Sequence, residues 1–90
     1  MKPYLSIIIP YHNSSETIEK LLLSIKGSKH APSYEVILVD DGSTEKFSSE
    51  IKHLPIRMLR FDRNHGPAVA RNRGVAVARG KFVVFLDSDV

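Results

Sequence analysis

The segment Tyr34–Thr44, with the sequence YEVILVDDGST, decides the fold class of this 90-residue chain. Its centre, Val36–Val39, is apolar and mostly β-branched, which predicts a strand that is covered on both faces. The residues that follow Asp40 are typical of a turn. A buried strand that runs directly into two carboxylates therefore indicates a sheet with polar chemistry at the ends of its strands.

Three further segments predict strands. Tyr4–Pro10 (YLSIIIP) and Lys81–Asp87 (KFVVFLD) have the same apolar, β-branched pattern as Tyr34–Asp40. Ile56–Phe61 (IRMLRF) carries two arginines, which favours a less buried strand near an edge of the sheet.

Helical patterns separate these strands. Residues 13–27 (NSSETIEKLLLSIKG) have Asn13 or Ser14 as possible caps, apolar side chains at helical spacing and a terminal glycine. A short, weak helix is predicted within Glu45–His53, and another helix begins at Pro67 and ends near Gly80. The order βαβαβαβ predicts an α/β fold with a mostly parallel sheet and helices on both faces, because helical crossovers join parallel strands.

Polar residues follow three of the strands. Because the carboxyl ends of parallel strands meet at one rim, we expect the four carboxylates there to lie near one another: Asp40, Asp41, Asp87 and Asp89. Clustered carboxylates repel each other, and Mg²⁺ or Mn²⁺ relieves that repulsion with oxygen ligands. Taken singly, DDGS also fits an ordinary turn and DSD a solvated loop; their joint placement favours a metal and phosphate site.

The helix that begins at Pro67 adds a second indication. At 3.6 residues per turn, one side of this helix collects mainly small and apolar residues, with one arginine among them: Ala70, Arg71, Gly74, Val75, Val77 and Ala78. The guanidinium of Arg71 needs an anion if it faces the sheet, either a rim carboxylate or a ligand phosphate; otherwise it extends to water along its stem. Arg73 and Arg79 are expected to be surface charges.

Composition excludes several other classes. The chain has no cysteine, so it forms no disulfide or thiolate metal site, and its net charge of +3 does not by itself indicate nucleic-acid binding. No apolar stretch reaches the length of a membrane span, and no signal peptide is evident. Glycine-rich dinucleotide and Walker A phosphate loops are absent from the sequence.

Three quoted segments together resemble the N-terminal half of a family 2 glycosyltransferase with the GT-A fold: LSIIIPYHNSSETIEKLLLSI, VILVDDGSTE and NHGPAVARNRGVAVARGKFVVFLDSDV. The resemblance covers nearly the whole chain. It implies one Rossmann-like nucleotide-binding domain over residues 1–90, which binds a nucleotide-diphosphate sugar, with uracil the usual base. It also implies an Mn²⁺ or Mg²⁺ cofactor and sugar transfer with inversion.

Carried over residue by residue, the resemblance assigns roles along the rim. Pro10 and the three residues after it, Tyr11, His12 and Asn13, should form one wall of the base pocket. Asp41 should bind the nucleobase, with Asn64 and Arg71 close to the nucleotide. Asp87 should face the ribose or the metal, and Asp89 should ligate the metal. The family often has Pro-x-Tyr-Asn at the first strand end, so His12 replaces a tyrosine here and base preference is open.

The resemblance also implies what lies outside this sequence. The general base of an inverting transfer and most of the acceptor site are expected beyond Val90, so we expect a fragment of a longer chain with no catalytic residue of its own. An uncovered flank beside the last strand predicts a homo-oligomer. The family implies a cytoplasmic location, at the membrane face for the longer protein. A non-catalytic nucleotide-binding or metal-binding module and a small Mg²⁺-binding interaction domain remain alternatives.

Overall fold

A computed structural model describes residues 2–13, 15–28, 33–44 and 56–87 of the chain. Its elements run in the order β1 (Leu5–Tyr11), α1 (Ser15–Lys26), β2 (Tyr34–Asp40), β3 (Ile56–Arg60), α2 (Pro67–Val77) and β4 (Phe82–Phe85). The predicted α/β class is confirmed. The helix expected within Glu45–His53 lies outside the described residues. Neither described helix is long and apolar enough to cross a membrane.

The four strands form one parallel sheet in the order β3-β2-β1-β4. β1 is central and pairs with β2 along its whole length, from Leu5 opposite Tyr34 to Tyr11 opposite Asp40. β3 is an edge strand, as its arginines predicted. The chain winds outward from β1 to β3 and then returns to the other side of β1, which creates a topological switch point between β1 and β4.

The two helices cover opposite faces of the sheet, as predicted. Ile18 and Leu22 of α1 pack on the side chains of one face: Ile7, Ile9, Val36 and Leu38. Ala70 of α2 packs against the other face: Ile8, Ile37 and Val39. Helix α2 approaches the sheet closely because position 74 is a glycine. A Cβ atom there would lie 2.5 Å from Cγ2 of Ile8.

Two expectations about the last third of the chain were wrong. β4 was expected over Lys81–Asp87 as a buried strand, but it spans Phe82–Phe85, and Phe82 is 48% exposed. The reason is that β4 is an edge strand, whereas α2 packs on β1 and β2. Val75, expected to face the sheet, is 44% exposed because it lies about 100° around the helix from the buried Gly74.

A hydrogen-bonded network at the amino ends of the strands joins β4 to the centre of the sheet. Oε2 of Glu35 accepts from the Ser6 hydroxyl at 2.6 Å and from the Arg79 N–H at 2.7 Å, and the Ser6 hydroxyl accepts from the Gly80 N–H. Burial alone would raise the pKa of Glu35. The two hydrogen bonds, together with the positive charges of Arg57 and Arg79, outweigh burial and lower that pKa.

Candidate functional site

The candidate site lies at the carboxyl ends of the strands, where β1 and β2 end side by side at Tyr11 and Asp40. Residues 12–13 and 41–44 continue from these two strands, and Leu86 and Asp87 continue from β4 on the other side of β1. In open parallel sheets, ligands bind beyond the carboxyl ends of the strands at the switch point. The fold therefore brings the predicted site segments to one rim.

Asp40 stabilises the turn that follows β2. Its buried carboxylate accepts from the N–H of Ser43 at 2.8 Å, which closes an Asx-type turn over residues 40–43. The same carboxylate lies 3.6 Å from Nε of Arg60 at the end of β3. Asp40 is thus a structural acid, and its charge is directed toward β3 and away from the switch point.

Asn13 clamps the same turn from the end of β1. Its backbone has a φ of 50°, a left-handed conformation that asparagine tolerates better than most residues. The N–H of Asn13 donates to Oγ of Ser43 at 2.8 Å. Its Oδ1 accepts from the N–H of Thr44 at 2.9 Å and from the Thr44 hydroxyl at 3.2 Å. These bonds hold the ends of β1 and β2 as one unit.

Asp41 anchors the loop that leads into α2. Its buried carboxylate accepts from the His65 N–H at 2.7 Å and from the Gly66 N–H at 3.0 Å, one bond to each oxygen. Gly66 N–H also donates to Oδ1 of Asn64 at 2.9 Å. Each carboxylate oxygen keeps a second lone pair, so Asp41 retains acceptor capacity for a ligand.

Gly42 allows the DDGST turn and this loop to touch. Its φ of 74° is left-handed, and a Cβ atom there would clash with the backbone of Arg63 and Asn64. A side chain at this position would separate the two segments. The close contact explains why a glycine stands between Asp41 and Ser43.

His12 lies exposed beside Asp41. Its Nδ1 is 2.9 Å from the carbonyl oxygen of Asp41, and its Nε2 is 3.3 Å from the side-chain amide of Asn13. A carbonyl oxygen only accepts, so Nδ1 must carry the proton, and Nε2 then accepts from the amide. The imidazole is therefore held at the rim by two hydrogen bonds, and it is exposed.

Two other predicted wall residues point into the protein. Pro10 is buried in β1. The Tyr11 ring lies in the core under α1, and its hydroxyl donates to Sδ of Met58 at 3.6 Å. Their contribution to a pocket is thus through the backbone and the shape of the rim, whereas His12 and Asn13 present side chains there.

Arg71 and Asp87 meet at the switch point. The guanidinium nitrogen Nη2 of Arg71 lies 3.5 Å from Oδ1 of Asp87, with the side chains 39% and 59% exposed. The sequence left two anions open for Arg71, a rim carboxylate and a ligand phosphate. In the structure Arg71 pairs with the rim carboxylate of Asp87. The pair is accessible, so both groups remain available to a ligand. Arg73 and Arg79 are exposed, as expected.

The three described rim carboxylates do not form the cluster that the sequence suggested. Asp40 faces Arg60, Asp41 holds the loop before α2, and Asp87 pairs with Arg71. No group of three metal-binding side chains occurs among the described residues. Asp89 lies outside them. The physical reason is that each of these three carboxylates is paired with its own donor or cation.

Three residues that hold the site were not predicted from the sequence. Ser43, His65 and Gly66 contribute backbone N–H groups or a hydroxyl to the bonds described above. Backbone donors have no residue signature. Only the Asp-x-x-Ser spacing of residues 40–43 could have indicated the bond from Asp40 to the Ser43 N–H.

Comparison with known proteins places this arrangement in a family. Residues 6–90 match the model described as Glycosyl transferase family 2. The chain belongs to that family. Among curated relatives, this chain is 33% identical to the succinoglycan biosynthesis protein ExoO of Rhizobium meliloti, in an alignment that covers 97% of this chain. It is 38% identical to the pre-mycofactocin glycosyltransferase of Mycobacterium tuberculosis, in an alignment that covers 94% of this chain.

Solved glycosyltransferase structures share the fold over 99% of this chain. Staphylococcus aureus TarS, residues 1–349 in complex with UDP-GlcNAc, superposes with a TM-score of 0.82 at 33% identity. The mannosyltransferase PcManGT of Pyrobaculum calidifontis, in complex with GDP-Man and Mn²⁺, superposes with a TM-score of 0.85 at 28% identity. The fold is therefore the Rossmann-like GT-A fold of glycosyltransferases, as the sequence resemblance implied.

This family 2 chain is much shorter than these relatives. It spans 26% of ExoO and 17% of the mycobacterial enzyme. It corresponds to 27% of the TarS chain and 28% of the PcManGT chain. Its matched segment contains the candidate rim, whereas most of each relative lies outside the comparison.

Proposed function

We propose that this chain binds the nucleotide-diphosphate sugar donor of a glycosyltransferase, together with a divalent metal, for transfer with inversion. The observation that carries the proposal is the rim itself. The loops after β1 and β2 are hydrogen-bonded into one unit, and an exposed Arg71–Asp87 pair lies across β1 from β2. A base-binding wall and a charged diphosphate site thus flank the switch point.

The base is assigned to the wall formed by His12, Asn13 and Asp41. The imidazole of His12 offers a flat surface, and the carboxylate of Asp41 has lone pairs for a base N–H. Uracil carries such a donor at N3. The complex of TarS with UDP-GlcNAc supports a uridine nucleotide, whereas PcManGT with GDP-Man shows that the fold also accepts guanine. Pro10, Tyr11 and Asn64 complete this wall in the proposal.

The diphosphate and metal are assigned to the other half of the rim. Asp87 supplies an exposed carboxylate, an oxygen ligand of the kind that Mg²⁺ and Mn²⁺ prefer. We assign Asp89 to the same metal because the Asp-x-Asp spacing places it two residues further on. A bound metal would neutralise developing charge on the leaving diphosphate. Arg71 is in place to pair with a phosphate oxygen when Asp87 turns toward the metal.

Sugar transfer itself is proposed for the longer protein. Inversion needs a general base within hydrogen-bond reach of the acceptor hydroxyl, and the family resemblance places that base beyond Val90. The cytoplasmic location stays a prediction. The proposal for residues 1–90 is donor binding by a single domain.

The test is calorimetric titration of UDP into the protein with Mn²⁺ or with EDTA. We expect binding that requires Mn²⁺ and that Asp87→Asn and Asp89→Asn each weaken at least tenfold. Asp62→Asn is the matched control, because Asp62 is exposed and has no partner among the described residues. Equal binding in EDTA would contradict the metal assignment. Metal binding with no response to UDP or GDP would refute donor binding and favour a metal-binding interaction domain.

We also propose that the chain forms a homo-oligomer through β4. Phe82, Val83 and Phe85 are exposed on this edge strand, and an apolar edge invites pairing with another strand. β3, the opposite edge, carries Arg57 and Arg60. We expect sedimentation to show a dimer or larger species that Val83→Lys reduces to monomer, whereas Met58→Lys on β3 does not. A monomer at high concentration would refute this assembly.

A further inference from the structure

The amino-terminal rim of the sheet contains a cavity, at the end opposite the candidate donor site. This open cavity of about 470 Å³ lies where the chain enters β1 and β4, and it is lined by Lys2, Pro3, Tyr4, Ser33, Arg79, Gly80 and Lys81. Because β1 is seven residues long and rises about 3.3 Å per residue, roughly 20 Å separate the two rims. A ligand in this cavity cannot be the diphosphate proposed above.

The charges around this cavity are unbalanced. Lys2, Arg79 and Lys81 line it, and no carboxylate is among its described lining residues. The ion pairs found within the described residues involve other arginines. The ammonium of Lys81 lies 5.6 Å from the centroid of the Phe82 ring, an aromatic contact that leaves its hydrogen-bond donors available.

One buried carboxylate lies close behind the cavity. Glu35 interacts electrostatically with Arg79, but its Oε2 already accepts from the Ser6 hydroxyl and from the Arg79 N–H. Glu35 therefore offsets part of the positive charge and leaves an excess of cations over carboxylates. It does not occupy the donors that face the cavity.

Ser33 adds a neutral donor. Its Oγ accepts from the N–H of Tyr4 at 3.0 Å, so its hydroxyl hydrogen points elsewhere. Within the described part of the chain, this hydrogen has no acceptor. The cavity thus combines one hydroxyl donor with three cationic side chains. All four groups can donate hydrogen bonds to an anion.

We propose that this cavity binds a phosphate group. A phosphate group has several strong acceptor oxygens and carries one negative charge as a diester or about two as a monoester, which matches a hydroxyl and three cations better than a single carboxylate would. The group belongs either to a small phosphorylated molecule or to the headgroup of an anionic lipid. Tyr4 and Phe82, which stack edge to face at 5.2 Å, would lie at the lipid interface in the second case.

In the first arm of the test, inorganic phosphate is titrated into the protein at constant ionic strength in EDTA, and binding is monitored by amide chemical shifts. EDTA removes metal-dependent binding at the donor rim. We expect shifts confined to residues 2–4, 33 and 79–81. Each lost cation should lower the affinity about fivefold, so Lys2→Gln with Lys81→Gln should lower it about 25-fold. The charge-matched control is Lys20→Gln with Arg73→Gln, two exposed positions away from the cavity.

The second arm measures co-sedimentation with vesicles of phosphatidylglycerol or of phosphatidylcholine. Phosphate binding without vesicle binding identifies a small-molecule site. Selective binding to phosphatidylglycerol, lost in the Lys2/Lys81 variant and kept in the control, identifies a lipid site. Absence of both, or an equal loss in the two double variants, overturns the proposal. UDP titration with Mn²⁺ on the same variants reports on the donor site independently.

Discussion

The bonds from Asp41 to the loop before α2 make a specific prediction for Asp41→Asn. The carboxylate is buried and accepts one backbone N–H on each oxygen, at 2.7 and 3.0 Å. Asparagine keeps one acceptor and places an NH₂ group against the other N–H. Because Gly66 N–H also reaches Asn64, the amide should turn its oxygen toward His65 and its nitrogen toward Gly66.

The loss is one hydrogen bond to a charged acceptor, worth about 1.5–3 kcal/mol of unfolding free energy. Urea unfolding at neutral pH measures it, with Asp62→Asn as the control that should stay within about 0.5 kcal/mol of the parent. Amide hydrogen exchange should accelerate at Gly66 more than at His65. If Asp41→Asn costs no more than Asp62→Asn, then Asp41 does not anchor the loop, and its role would be confined to ligand contact.

Three further predictions concern packing, pH and the rim. Gly74→Ala should lower the unfolding free energy by about 1–3 kcal/mol, because its Cβ atom would overlap the buried Ile8 side chain. Glu35→Gln should cost about 1.5–3 kcal/mol at pH 7. Because folding lowers the pKa of Glu35, the stability that its ionised carboxylate contributes is present above the ordinary pKa of 4.5 and is lost as the pH falls through the folded-state pKa. The loss of stability caused by Glu35→Gln in urea unfolding should therefore be smaller at pH 3 than at pH 7. Arg71→Gln should change stability by less than about 1 kcal/mol, since its ion pair is exposed, and weaken Mn²⁺-dependent UDP binding about 10-fold to 100-fold in calorimetry.

Each of these three predictions has its own matched comparison. Gly27→Ala adds a Cβ atom at an ordinary distance of 3.5 Å, so it should be nearly neutral. A stabilised Gly74→Ala variant would show that α2 can move off the sheet. A cost of Glu35→Gln that is the same at both pH values would exclude the ionised carboxylate as its source. Arg73→Gln should leave UDP binding unchanged.

The sheet could be predicted largely from local sequence. β2 has the bounds expected from its apolar centre, and β1 differs by one residue at each end, because both strands are paired on two sides and covered on two faces. β4 has a similar apolar sequence but pairs only with β1. The observed length of β4 depends on its pairing with β1, so the sequence of Lys81–Asp87 alone could not indicate that length.

The site was predictable as a location but not as a set of contacts. The strand ends placed Asp41 and Asp87 at one rim, and helical periodicity indicated that Arg71 needs an anion if it faces the sheet. The partner of Asp41 is a pair of N–H groups 24 and 25 residues away in the chain. Such partners depend on how the loop closes, which side-chain patterns do not encode.

The central position of β1 has a consequence for how the chain folds. β1 pairs with β2 and β4, and β4 lies much later in the chain than β1. The bond from Gly80 N–H to the Ser6 hydroxyl spans 74 residues of sequence. Loop closure over such separations slows folding, since the entropy must be lost before the contact stabilises anything. We expect β1, β2 and α1 to form early, with β4 docking as a late step that truncation before Gly80 would abolish.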